Sequence, residues 1–175
     1  MNIARYPLIF LLFLTSPNSQ SQATQKGTAP AVASPTADAK PYWAGLSVAD
    51  ADVSAKWYEE KLHFTLTRKM DLPEHKLRIR FLDLNGFTLE LITFEDSVSF
   101  EAVQKRVPEL KDRDKLQGFL KLGFRVSNVD VLATELKRNG VKLMVEPTDD
   151  RAFGDRFIML KDLDGNVLQF FQELK

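Results

Sequence analysis

From residue 41 onward the chain alternates between two hydrophobic periods. Residues 42–48 place apolar side chains at every second position, the mark of a half-buried strand. Asp50 or Asp52 then supplies an N-cap for a helix reaching about Leu62. Along it Val53, Trp57 and Lys61 fall at four-residue spacing, with Tyr58 beside them, and this predicts the sheet-packing face. Period-two runs over residues 64–69, 76–84 and 87–94 predict three strands, the last two joined by Asn85-Gly86, a hairpin pair that tolerates positive φ. Residues 97–111 read as a connecting helix disturbed near Pro108. A strand at 121–126 and a helix at 129–139 ended by Gly140 follow, then strands at 142–145, 156–161 and 167–172. Asp164-Gly165 marks the final turn.

The second half repeats the first. Gly45-Leu46-Ser47-Val48-Ala49-Asp50-Ala51-Asp52-Val53 is echoed by Gly123-Phe124-Arg125-Val126-Ser127-Asn128-Val129-Asp130-Val131. At nearly the same offset, Asn85-Gly86-Phe87-Thr88-Leu89-Glu90-Leu91 is echoed by Asp164-Gly165-Asn166-Val167-Leu168-Gln169-Phe170. Two copies are too few for a solenoid, so the repeat predicts one domain of two similar halves. Each half reads strand, helix, then three strands, an α+β pattern.

These segments, with Trp57-Tyr58 and Asp162-Leu163-Asp164-Gly165-Asn166-Val167-Leu168-Gln169, resemble the vicinal oxygen chelate superfamily. It includes glyoxalase I, bleomycin-resistance proteins, extradiol dioxygenases and methylmalonyl-CoA epimerase. The resemblance covers nearly all of residues 41–173. It implies two βαβββ modules, about 41–95 and 118–175, forming a curved mixed sheet around a central cleft. Catalytic relatives hold a divalent metal with His, Glu, His and Glu, one from each of four cleft strands, Gln being an occasional substitute. The matching positions here are Trp43, Glu90, Lys121 and Gln169.

That set departs from metal chemistry. Transition metals need converging lone pairs, and an indole N–H or a protonated ammonium offers none. Glu90 and Gln169 leave two oxygens, one of them neutral. His63 and His75, the only histidines, fall outside the predicted cleft strands. Neither a bound catalytic metal nor a cofactor is expected. Instead the Lys121 ammonium is expected to pair with Glu90 and the Gln169 carbonyl, with Trp43 closing the remaining side.

Strand alternation brings Gly45, Ser47, Thr88, Gly123, Arg125, Val167 and Phe171 to the same face as these four. It turns Leu46, Val48, Leu89, Leu91, Phe124, Val126, Leu168 and Phe170 toward the helices. The candidate ligand-binding cleft is therefore Trp43, Ser47, Thr88, Glu90, Lys121, Arg125, Gln169 and Phe171. An aromatic plate, two cations, one carboxylate and an amide suit a small aromatic or anionic molecule. Glu90 is the one candidate general base. Asp162 and Asp164 are expected to shape the last turn, and Arg156 either to bind an anion or, as the default, to solvate a strand edge.

Three readings stay open: a binding protein without metal chemistry, a lyase, isomerase or dioxygenase with an unusual or metal-free site, and a structural or interaction domain whose cleft is filled by Trp43. No phosphate-binding loop, nucleophile elbow or zinc-protease helix motif is present.

Composition narrows the partners. Lys and Arg total 24, as do Asp and Glu, so no basic stripe points to nucleic acid. The chain has no cysteine, which excludes disulfides and thiolate sites. Arg5, the apolar run at 7–14 and the small residues Ser21 and Ala23 read as a signal peptide over residues 1–23. The run is too short to span a bilayer. Periplasmic or secreted localisation is expected, with residues 24–40 as a flexible linker and the domain over 41–175. The expected assembly is a monomer or a weak homodimer.

Overall fold

The chain is described as a computed structural model covering residues 40–174. The signal peptide, and the linker except Lys40, lie outside the described residues. Strand β1 (Trp43–Ser47), helix α1 (Ala51–Leu62) and strands β2 (Thr65–Leu72), β3 (Leu77–Leu84) and β4 (Phe87–Phe94) form the first module. After helix α2 (Phe100–Arg106), the order recurs as β5 (Lys121–Arg125), α3 (Val129–Arg138), β6 (Leu143–Asp150), β7 (Asp155–Lys161) and β8 (Val167–Glu173). Both predicted βαβββ modules are present. Their hydrogen bonds divide them into two four-stranded mixed sheets, ordered β1-β4-β3-β2 and β5-β8-β7-β6. In each, the first strand runs parallel to the last and the other pairs are antiparallel.

Local chemistry explains the element ends. Asp50 is the cap of α1, its Oδ1 accepting from the Asp52 and Val53 amides at 2.9 and 3.1 Å. Asn128 does the same for α3 through the Val131 amide. Asn85 and Gly86 have φ of 52° and 84° between the paired residues Leu84 and Phe87, the two-residue turn that matches strand twist. The connecting helix is shorter than its pattern. Ser99 caps it through the Ala102 amide, and it stops before Pro108.

Two expectations need correction. The packing face of α1 is Ala51, Ser54, Ala55, Tyr58 and Leu62, whereas Val53 is 57% exposed. Small residues let the helix close on the sheet around the large Tyr58 ring, so size outweighed apolarity. Strand β6 also runs past residue 145 to Asp150. Pro147 cannot donate to a ladder, but the register shifts between Val145 and Thr148, where an irregular edge strand accommodates it.

One hydrophobic core serves both modules. Leu46, Val48, Leu89, Leu91, Leu122, Leu168 and Phe170 are buried in it, and Phe124 and Val126 pack against it. The rings of Phe64, Phe87 and Phe170 surround Phe124, joining the modules. Polar contacts join them too. The Tyr58 hydroxyl donates to Asp162 Oδ2 at 2.8 Å, and Asp164 accepts from the Ala49 amide and the Ser54 hydroxyl. Asp162 also accepts from Asn166 and the Asp164 amide, so both aspartates do organise the turn.

Candidate functional site on the open sheet face

Packing one sheet face against the helices leaves the alternate residues on the other. On β1 these are Trp43, Gly45 and Ser47, all exposed, and on β5 they are Lys121, Gly123 and Arg125, likewise exposed. Thr88 and Glu90 on β4, and Val167, Gln169 and Phe171 on β8, are half-buried.

The register repeats at the centre of each module. Gly45 on the edge strand β1 lies opposite Glu90, which in turn opposes Phe81 on its other side. Gly123 lies opposite Gln169, which opposes Met159. Each module thus sets one acceptor side chain beside a glycine that leaves it room. The space is tight at the first: a Cβ on Gly45 would stand 3.3 Å from Glu90 Oε2.

The four positions matching the metal ligands separate into two pairs. Trp43 and Glu90 belong to the first module. Lys121 and Gln169 share a cavity of about 210 Å³ in the second, with Asp150, Phe153, Asp155, Phe157 and Met159. Among the described residues no ion pair joins Lys121 to Glu90, and Lys121 is exposed. The expected substitution of an ammonium for a metal is therefore not formed. Nor does Trp43 fill the cleft: it is 60% exposed, with Tyr42 beside it at a ring separation of 5.2 Å.

The remaining candidates have local roles. The Arg125 guanidinium is bound to Glu173 at 2.7 Å and lies over the Phe171 ring at 5.7 Å, so its charge is already matched. Ser47 borders a larger cavity of about 670 Å³ at the junction of the modules, with Arg113, Lys161 and Asp164. His63 ends α1 in the left-handed conformation, and its Nε2 lies 2.8 Å from Glu135. His75 lies in a short 3-10 turn.

On the helix side, arginines tie sheet to helix in both modules. Buried Arg80 donates to both Asp52 oxygens and to Asp71, and Arg78 reaches Asp50. Arg156 reaches both oxygens of Asp130 and also Asp149. Arg156 is thus a cross-element tether, not a solvated edge. The Arg80 hydrogen bonds hold Asp52 below the usual carboxylate range, and Arg156 does so for Asp130.

A resident metal does not fit this donor set. Trp43 has no lone pair to give, and the Lys121 ammonium repels a cation. Among the described residues, no group of three or more His, Cys, Asp or Glu side chains could hold a metal ion. Sequence reasoning missed the Asp150, Phe153, Asp155, Phe157 and Met159 wall. Alternation along β7 would have placed Phe157 and Met159 beside Gln169; the β6–β7 turn carried no such signal.

Two sequence-repeated βαβββ modules in one chain, with acceptors set in register beside glycines on the open face, define a paired-module glyoxalase-type domain. The sequence matches the Glyoxalase/Bleomycin resistance protein/Dioxygenase superfamily over residues 40–170, and the chain belongs to it. It is similar to a glyoxalase family protein from Enterococcus faecalis, 18% identical with a TM-score of 0.64, covering 76% of this chain and 97% of that one. It is similar to glyoxalase I from Zea mays, 24% identical with a TM-score of 0.62, covering 78% of this chain but 45% of that one. A glyoxalase/bleomycin resistance protein/dioxygenase from Nocardioides is 17% identical with a TM-score of 0.55, covering 83% of this chain and 88% of that one. At these identities the likeness establishes the fold. No curated protein matches the sequence.

Proposed function

We propose that the chain is an exported member of this superfamily that binds a small aromatic or anionic molecule on its open face, without metal chemistry. The observation that carries this reading is the Trp43 ring, standing exposed at a position where catalytic relatives place a metal ligand. There it offers a stacking surface and an N–H donor in place of a lone pair. The exposure of Trp43 also argues against a filled, purely structural cleft. A monomer or weak homodimer suits a chain that carries both modules.

One observation favours a second reading. The Glu90 carboxylate is half-buried between Gly45 and Phe81, with no ion pair among the described residues. A carboxylate held in that way is placed to accept a proton, which would serve a metal-free isomerase or lyase. Elemental analysis separates binding from metal catalysis: one equivalent of tightly held transition metal in the purified protein would overturn the proposal. A thermal-shift screen of small aromatics and anions tests binding itself, because a ligand that prefers the folded chain raises its melting temperature. Loss of that shift in Trp43→Ala is the expected outcome.

A further inference from the structure

The two modules share a backbone register but differ sharply at one end of the open face. In the first module, Leu72 opposes Leu77, which opposes Phe94. The same cross-strand row in the second is Asp150, Asp155 and Glu173. The fold therefore accepts an apolar row at this place, and carboxylates are not needed to build it. Directly opposed like charges are unfavourable. Two of the three have partners that offset this: Arg125 binds Glu173 at 2.7 Å, and Asp150 Oδ1 accepts the Ala152 and Phe153 amides. Half-buried Asp155 lies between them, and among the described residues no hydrogen bond or ion pair reaches its carboxylate.

Asp150, Asp155, Lys121 and Gln169 line one cavity, with Gln169 level with Met159 between the acidic pair and Lys121. Lys121 opposes Val167 at the start of β8, whereas Asp155 opposes Glu173 at its end. Between the two ends Phe157 and Met159 form an apolar wall, and the Phe153 ring, 82% exposed, stands at the rim. A molecule lying along this cavity would meet negative charge, then aromatic surface, then an ammonium and an amide.

We infer that the second-module cavity takes a small amphoteric molecule: a cationic group against Asp155 and Asp150, an aromatic or apolar body along Phe157 and Met159, and a carboxylate or carbonyl toward Lys121 and Gln169. This rests on the reading of the open face as a ligand site, and names the class of ligand for its second half. The cation supplies the charge that the Asp150–Asp155 pair lacks, and the ring replaces water over Phe153 and Phe157.

The test is isothermal calorimetry on the full chain with three probes. 4-(Aminomethyl)benzoate carries an ammonium and a carboxylate across one ring; benzylamine and benzoate each carry one of them. The two-ended probe is expected to bind at least about tenfold more tightly than either one-ended probe, the effect of one added charge-assisted contact. Asp155→Asn should weaken 4-(aminomethyl)benzoate and benzylamine by about tenfold and leave benzoate unchanged. Lys121→Gln should weaken 4-(aminomethyl)benzoate and benzoate and leave benzylamine unchanged. Asp155→Leu installs the residue type of the first module and should keep or raise the melting temperature while losing benzylamine, which separates binding from folding. Affinity unmoved by Asp155→Asn overturns the inference. If Trp43→Ala then abolishes that same binding, ligand binding on the open face still stands. No binding of any probe also overturns the inference, and a blank thermal-shift screen beside it removes both readings.

Discussion

The Glu90 carboxylate leans over Gly45, its Oε2 only 3.3 Å from where a Cβ on that glycine would stand. The equivalent glycine in the second module, Gly123, is roomier: its nearest neighbour would be Phe171 Cε1 at 3.8 Å, an ordinary contact. Gly123→Ala is therefore expected to change stability by less than about 1 kcal/mol. Gly45→Ala should displace the Glu90 side chain. A structure of each variant checks this, and an unmoved Glu90 in Gly45→Ala would refute the steric argument.

Tyr58 holds the modules together through Asp162. Its ring is fully buried, and its hydroxyl donates at 2.8 Å to a carboxylate that also accepts from Asn166. Tyr58→Phe removes a buried hydrogen bond to a charged group and should cost about 1–3 kcal/mol in urea unfolding. Burial first, and Asp162 second, push the Tyr58 phenol far above its ordinary value of 10.0. A raised folded pKa gives stability that is complete below pH 10.0 and lost as pH rises beyond it. The parent should therefore lose part of its advantage over Tyr58→Phe in alkaline unfolding. An advantage that is constant across that range would contradict the assignment.

Acid acts through the helix N-termini. Asp52 is lowered by its Arg80 hydrogen bonds, and Asp50 by the Val53 amide, then by further contacts including Arg78. Lowered folded values mean stability that is present above the ordinary 3.8 and lost as pH falls through the folded values. Asp52 is partly exposed, so solvent reduces its share. Asp52→Asn should lower stability at neutral pH and flatten its decline below that point. Equal pH slopes for the variant and the parent would count against the Arg80 tether.

The four ligand positions lie two in each module, so the two pairs must close on one ion for metal to bind once the donors are restored. Trp43→His with Lys121→His and Gln169→Glu, added to the resident Glu90, supplies two imidazoles and two carboxylates, a set that suits zinc, nickel or manganese. The triple variant is expected to hold about one equivalent of such a metal after dialysis, and the parent none. Tight uptake by the parent would overturn the reading of the donor set.

Export predicts a mature chain beginning near Thr24. N-terminal sequencing of protein from its native host checks this, and an intact Met1 on soluble cytosolic protein would sink it.

Much of the architecture was legible because it rests on short-range patterns. Period-two alternation placed Leu46, Leu89, Leu168 and Phe170 on the buried side, and Asn85-Gly86 located a hairpin through its tolerance of positive φ. The internal repeat matched Glu90 with Gln169 and Gly45 with Gly123, because equal offsets in sequence became equal registers in the sheets. Where size mattered more than polarity the pattern misled, as Val53 did on α1. Where a proline could sit in a bulge, β6 ran longer than its apparent turn.

The sequence by itself determined the two modules, their order and the chemical unfitness of Trp43 and Lys121 as metal ligands, because these follow from residue type and local period. Tertiary structure decided who pairs with whom. It gave Arg156 to Asp130, Arg80 to Asp52 and Tyr58 to Asp162, and it left Lys121 apart from Glu90. Such choices depend on distances across strands and between modules, where a few ångströms decide whether two opposite charges meet or face solvent, and no local pattern encodes that separation.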